Sequence, residues 1–419
     1  MPGYRDLARD REFRALLVAH VVSVAGDQFA RVALTVHVYD RTASAGLTAM
    51  TYALTFLPDL LGGPLLSGLA DRFARKRVMV AADLIRAALL LVMAVPGLPL
   101  WALAALVVLV QFAGAPHGAA RAALLPHILP DERYPMGQAV LSTLTQAAQV
   151  AGFLTGGALV AWLGPGPVLV ADALTFAISA LLAGTYLLGR PAPARAHVRA
   201  WPTDLVGGTR LVWGDRRLRA LVALACVSGF YIVGEALAVP YAASLGAGPA
   251  GVGLLFGAYA AGAAAGMLVV AHLNDRLQLR VMPWLAIAAC AVLVPAALRP
   301  GLVVSVGMFA LSGAASAYHL VANTRFVRAV PDSSRGQAFG LAVTALRVSQ
   351  GLGVALAGLA AETVAAHLVV AAAGALGVLA ACGAATLWRL SDASRSDGSS
   401  PSAGSSRSDE RDGRRRRHG

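Results

Sequence analysis

The chain has 419 residues, 57% of them hydrophobic and only 14% charged, with 35 Lys and Arg against 22 Asp and Glu for a net charge of +13. A soluble domain carries about 25% charged and about 45–50% apolar residues, so an ordinary soluble enzyme of this length is excluded. The basic residues fall between apolar stretches, which points to a membrane surface and not to nucleic acid.

A membrane-spanning helix needs about 20 mostly apolar residues. That window predicts twelve spans, near 13–39, 46–69, 78–96, 99–121, 137–162, 167–189, 218–241, 249–272, 281–298, 301–322, 337–361 and 366–389. The opening "MPGYRDLARDREFR" is charged and runs into the first span without a small-residue cleavage site, so it reads as a retained segment. Breaks between spans fall at Pro/Gly turns such as 96–99, 164–167 and 245–251, or at charged loops. With the N-terminus in the cytoplasm, 30 Lys and Arg fall on the cytoplasmic side, Arg41 and Arg299 fall outside, and Arg31, Arg86 and Arg347 lie in the membrane. This segregation favours both termini inside a cell membrane. Cys226, Cys290 and Cys382 all lie in apolar spans, so neither a disulfide framework nor a metal site is expected.

The longest polar connection inside the bundle divides the chain into a six-helix half, 1–189, a cytoplasmic linker, 190–217, and a second half, 218–390. Within the connection, 203–220 reads as an interfacial helix that Asp204 could cap. The tail 391–419, rich in Ser, Asp, Gly and Arg, is expected to be disordered and basic.

The halves repeat each other. "ADRFARKRVM" (70–79) matches "NDRLQLRVM" (274–282), aligning Asp71-Arg72 with Asp275-Arg276 at an offset of 204. "LPDERYPMGQA" (129–139) matches "VPDSSRGQA" (330–338), and Gln149, Gly152 and Gly157 align with Gln350, Gly353 and Gly358 at an offset of 201. Parallel repeats of this kind place a substrate site near the midplane between halves that rock about it.

The loop "GLADRFARKR" (68–77), with its Gly, its Asp-Arg and its basic run, resembles the signature loop of the major facilitator superfamily. "SVAGDQFARVAL" (23–34) together with "DRFARKRVMVAADLIRA" (71–87) is similar to the drug:proton antiporter branch that includes macrolide and siderophore exporters. The resemblance implies a twelve-helix bundle of two pseudo-symmetric halves, and a gate at Gly68, Asp71, Arg72, Arg75, Lys76 and Arg77, with a second-half counterpart at Asp275 and Arg276. Two departures stand out. Ala74 takes the place of the loop's second Gly, and in "AGFLTGG" (151–157) Phe153 takes the place of the Pro in the antiporter signature Gly-Pro-x-x-Gly-Gly. Gly152, Gly156 and Gly157 still permit close helix packing.

A charge at the bilayer centre costs about 2.5–3.5 kcal/mol on insertion scales, so each one is a candidate for function. Asp27 in span one has Arg31 four residues on, on the same face; the pair reads either as a proton site with its tuning partner or as a static ion pair. Asp59 in span two follows Pro58 and is either a proton or substrate contact or a structural hydrogen-bonding group. Asp83 and Arg86 in span three read as a structural ion pair under the gate loop. Glu235 in span seven is either a cavity-facing proton site or a snorkelling carboxylate. Arg347 in span eleven is placed to receive an anionic group or to pair with an acid of the other half. Asp172 reads as structural, near the outer surface, and His20, His37, His117 and His319 as neutral residues. Tyr52, Phe56, Phe230, Tyr231, Gln149 and Gln350 are candidates to line an aromatic, polar cavity.

The sequence has no G-x-x-x-x-G-K-[ST] motif and its single Lys is Lys76, so no ATP-driven step and no cofactor is expected. The expected activity is not enzymatic. It is proton-coupled efflux of a small hydrophobic or amphipathic compound, a drug, macrolide-like metabolite or siderophore, by a monomer whose partners are substrate, protons and the lipid bilayer. An uptake permease of the same fold and a non-transporting scaffold or sensor are the alternatives.

Overall fold

The computed structural model describes residues 7, 9–55, 73–129, 133–190, 209–331 and 334–398, with side chains as far as 390 except those of 335 and 336. The helices of the first half are α1 (Arg11–Thr42), α2 (Ala45–Ala53), α3 (Arg75–Met93), α4 (Leu100–Ile128), α5 (Arg133–Leu163) and α6 (Pro165–Tyr186). Those of the second half are α7 (Arg216–Cys226), α8 (Ser228–Ala236), α9 (Ala238–Ser244), α10 (Pro249–His272), α11 (Asp275–Ala291), α12 (Leu302–Ala315), α13 (Tyr318–Ala329), α14 (Arg335–Ala360) and α15 (Ala366–Gly398), with a 3₁₀ turn at Val294–Leu298. No strand occurs among the described residues. Helices satisfy their own backbone, which is what a lipid environment demands.

Among the described residues, ten helical stretches are long and apolar enough to cross a membrane. The third span, α3, is charged at Arg75, Lys76, Arg77, Asp83 and Arg86, and most of the second lies outside the described residues. With these two, the arrangement is consistent with the twelve spans expected. α7, α8 and α9 are one span broken at Val227 and Leu237. The fourth span runs on to Ile128 through Pro116 and Pro126, seven residues beyond its expected end, so that Arg121, expected at the end of the span, lies inside the helix. The last helix continues to Gly398, eight residues into the segment expected to be disordered.

Local chemistry sets the ends. Asp10 caps α1 by accepting from Glu12 N at 2.9 Å and Phe13 N at 3.0 Å. Ala43, in the left-handed region at φ 50, ends it, and Ser44 caps α2 by accepting from Leu47 N at 2.9 Å. The expected interfacial helix over 203–220 is divided. Residues 209–214 are helical, but Asp215 then accepts from Arg217 N at 2.7 Å and starts the seventh span anew. The proposed cap Asp204 lies outside the described residues.

Side-chain contacts fix the alternation of the spans. At the proximal end, which holds the start of α1, Glu12 pairs with Arg190 and accepts from Leu188 N at 3.0 Å. At the distal end, Arg41 donates to the Leu98 carbonyl at 2.6 Å and Arg299 to His367 at 3.1 Å. Trp101 and Trp162 are exposed near the distal end and Trp213 and Trp284 near the proximal end, the positions of interfacial aromatic girdles.

Glycines repeat the sequence duplication in space. A Cβ on Gly152 would stand 2.7 Å from the Ala25 carbonyl oxygen, so span five lies against span one; its counterpart Gly353 lies closer still to Gly229 of span seven. Five residues on, Gly157 meets Gly253 of span eight, and its counterpart Gly358 meets Gly46 of span two. The first pair of contacts holds each half together. The second pair joins the halves along two equivalent seams, close to the distal end.

Candidate functional site

The seam carries a buried polar cluster. Tyr52, on span two, donates its hydroxyl to Glu235 Oε2 of span seven at 2.7 Å, and both residues are buried. Glu235 sits two residues before the break at Leu237, which places it where the span changes direction. The Arg31 guanidinium lies 5.7 Å from the Tyr52 ring centroid and 5.9 Å from that of Phe153, within the range of cation–π attraction. Phe256 of span eight stacks on Phe153 at 5.0 Å and on Tyr52 at 6.3 Å. One carboxylate, one guanidinium and three aromatic rings from both halves therefore meet at one level. Glu235 is not a snorkelling carboxylate: it is only 7% exposed and turned to the other half.

Behind this cluster the second half adds Tyr231 and His319, hydrogen-bonded at 2.8 Å, with Tyr318 stacked on His319 at 4.3 Å. Arg347 donates to Gln350 Oε1 at 3.2 Å, one turn on along its own helix.

The first half holds a second network. Arg86 Nη2 binds Asp27 Oδ1 at 2.6 Å and packs its guanidinium 3.9 Å from the Phe176 ring centroid. The Asp27 side chain is 33% exposed, the Arg86 side chain 8%. The expected Asp83–Arg86 ion pair is thus replaced. Residues three apart share a face, but the tertiary partner across the helix interface presents its oxygen directly to the guanidinium. The expected Asp27–Arg31 pairing gives way likewise: Arg31 turns to the aromatic rings and Asp27 to Arg86. Asp83 instead accepts from Ser179 Oγ at 2.6 Å and faces His117 Nε2 at 3.5 Å. Asp172 is not near the outer surface. It is 1% exposed, accepts from Thr175 Oγ1 at 3.0 Å and stands where a Cβ on Gly26 would lie, level with the middle of span one.

The gate loop is described only in part: Gly68, Asp71 and Arg72 lie outside the described residues, as does Asp59. Arg75 donates to the Ala123 carbonyl at 2.8 Å and contacts His127 at 3.1 Å, while Lys76 donates to the Leu187 carbonyl at 2.8 Å. Cations there complement the negative C-terminal ends of spans four and six. Arg77 is exposed. In the second half Asp275 pairs with Arg325 at 3.1 Å and Arg328 at 3.5 Å, and Arg276 is exposed. Gly156 packs on Phe29 and completes the span-five surface that Gly152 and Gly157 begin.

Sequence reasoning missed Phe256 as a cluster member and the inter-half stacking of Phe153. The departure from Pro at 153 was the available signal, since a bulky ring in a glycine-rich stretch needs a receiving surface.

The family model for the Major Facilitator Superfamily matches residues 16–241 and 220–416. Among curated relatives, an uncharacterized MFS-type transporter YvqJ of Bacillus subtilis is 27% identical over 177 residues, covering 41% of this chain and 42% of that one. Macrolide efflux protein A of Streptococcus pyogenes is 30% identical over 126 residues, covering 29% and 31%. Multidrug efflux pump Tap of Mycobacterium tuberculosis is 30% identical over 287 residues, covering 64% and 66%. The matched region thus spans less than half the length of the first two relatives. Among solved structures, the nucleoside transporter NupG superposes with a TM-score of 0.74 at 15% identity, covering 90% of this chain and 99% of that one. A D-xylose-proton symporter does so with a TM-score of 0.69 at 14% identity, covering 89% and 96%. The duplicated glycine contacts, the spanning helices and the family match over nearly the whole chain agree: this integral membrane protein belongs to the Major Facilitator Superfamily of transporters.

Proposed function

We propose that the protein exports a small hydrophobic or amphipathic compound, such as a drug, a macrolide-like metabolite or a siderophore, across the cell membrane in exchange for protons. The proximal end, with both termini, faces the cytoplasm and the distal end faces outward. The observation that carries this reading is the Tyr52–Glu235 hydrogen bond across the seam, at 2.7 Å and buried. A carboxylate held between moving halves responds to both a proton and the state of the gate. Burying it charged is costly, and Tyr52 offsets part of that cost only while the distal side is closed. Opening separates the two residues, and Glu235 then takes a proton from outside. After the return to the closed state, Glu235 releases the proton inward and Tyr52 again serves the charge. One proton driven through 100 mV supplies about 2.3 kcal/mol. Opening of the seam would uncover the rings of Tyr52, Phe153 and Phe256, buried in the closed state, as an apolar binding surface, and the partly exposed Asp27 with Arg86 supplies polar contacts or a further proton. The relatives named for macrolide and multidrug efflux support the direction and the substrate class.

The test is ethidium transport in membrane vesicles. Inside-out vesicles energised with a proton gradient are expected to accumulate it, and Glu235→Gln to abolish gradient-driven accumulation. Accumulation in right-side-out vesicles alone overturns export and favours an uptake permease, the reading that Phe153 in place of Pro supports. Undiminished proton-driven transport by Glu235→Gln removes Glu235 from the coupling.

A further inference from the structure

We propose that Asp83 and His117 form a buried dyad that holds one exchangeable proton, a second proton-binding site within the first half and separate from Glu235. Asp83 is 0% exposed and His117 6%. Asp83 Oδ1 and His117 Nε2 face each other at 3.5 Å, and neither atom has a hydrogen-bond partner among the described residues. A buried polar atom without a partner costs about 1–3 kcal/mol, so two such atoms 3.5 Å apart favour a proton shared between them; the neutral imidazole's own Nε2–H serves an ionised Asp83 in the same way, and the neighbours decide which state holds. The shared proton forms Oδ1–H···Nε2 in the neutral dyad, or Oδ1···H–Nε2 in the ion pair, and satisfies both atoms at once.

The surroundings bear on the charge state of Asp83. Its other oxygen, Oδ2, accepts from Ser179 Oγ at 2.6 Å. The nearest cation along its own helix, Arg86, is committed to Asp27 at 2.6 Å. An ionised Asp83 on the same face as Arg86 would compete for that guanidinium. The observed division of partners, with Arg86 given to Asp27 and Asp83 left with a hydroxyl and an imidazole nitrogen, is that of a protonated Asp83. Among the described residues, the further ionisable groups near the dyad are His20 on span one, which contacts Thr145 at 3.1 Å, and Arg121 on span four, whose Nε is buried without a partner, with Asp172 of span six beside Asp27 and Arg86. Losing the dyad proton frees Asp83 to draw Arg86 away from Asp27. The dyad thereby sets how strongly the partly exposed Asp27 carboxylate is held, without touching the seam.

The role of this proton in transport rests on the proton-exchange reading, but its binding does not, and the experiment separates the two. The measurement is pH-difference infrared spectroscopy of the full-length protein reconstituted in lipid without substrate. A carboxylic-acid C=O band that titrates with pH is expected to vanish in Asp83→Asn. In His117→Gln its midpoint is expected to move by at least one pH unit. Ser179→Ala, which keeps the dyad and removes one hydrogen bond, is expected to shift the band frequency; it decides the matter if Asp83→Asn does not fold. Spectra of Asp83→Asn or Ser179→Ala that overlay the wild type overturn the proposal. A titrating Asp83 band beside transport indifferent to the proton gradient overturns proton exchange and leaves the dyad standing. Proton-driven transport without an Asp83 band does the reverse.

Discussion

Glu362, in the connection after span eleven, ties the two halves at the distal end. Its Oε1 accepts from Ser44 Oγ at 2.5 Å and from Gly46 N at 2.6 Å, both at the start of α2 in the other half. These bonds hold the carboxyl below the usual glutamate range. The two distal arginines are occupied elsewhere, Arg41 by the Leu98 carbonyl and Arg299 by His367, so the hydrogen bonds carry the effect. A buried hydrogen bond to a charge contributes about 1.5–3 kcal/mol, but Glu362 is exposed, and water competition reduces each bond to the scale of about 0.2–1 kcal/mol found for surface pairs. Together they contribute about 1 kcal/mol to the closed distal gate. Glu362→Ala should therefore raise the ratio of open to closed about fivefold, and Ser44→Ala less than half as much on the energy scale. Spin labels at Val95 and Ala243, exposed near the distal ends of the two halves, report the opening as a second, longer distance. The pH sign follows from the same geometry. Closure lowers the carboxyl's proton affinity, so the latch is fully present above the ordinary glutamate value of about 4.3. It is lost as pH falls through the lowered value, and outer acidification should mimic Glu362→Ala. Distance distributions in Glu362→Ala that match the wild type at neutral and at acidic pH would refute the latch.

Three further outcomes test the packing. A Cβ at Gly157 would sit 2.6 Å from Gly253 Cα, so Gly157→Leu should wedge the seam, lengthen the same label distance and reduce transport more than tenfold, while Gly214→Ala, which meets nothing within 4 Å, leaves both unchanged. Arg86→Ala strands the Asp27 carboxylate; breaking a buried pair costs about 3–5 kcal/mol, and with Asp27 33% exposed about half of that should appear as lost thermal stability in detergent, partly restored by adding Asp27→Asn. Phe153→Ala removes the ring stacked on Phe256 at 5.0 Å; large-to-small changes of this kind cost about 3–5 kcal/mol, read here as a lower melting temperature together with weaker closure between the spin labels.

The sequence by itself determined the architecture. Apolar length alone marked the spans because lipid accepts a backbone only as self-satisfied helices. The 201-residue offset between Gly152 and Gly353 and between Gly157 and Gly358 marked a repeat, which the structure realises as equivalent contacts within each half for the first pair and between the halves for the second. It also marked which charges needed an explanation, since Asp27, Arg31, Asp83, Arg86 and Glu235 stand out against their surroundings. What it did not determine was who pairs with whom. Helical spacing offers Asp83 to Arg86 and Asp27 to Arg31, at a gain of about 0.2–0.5 kcal/mol per exposed pair. Tertiary packing brought Asp27 to Arg86, Ser179 to Asp83 and Tyr52 to Glu235. In a dry interior those contacts outweigh local spacing, because a buried charge must find its best donor wherever the fold places one.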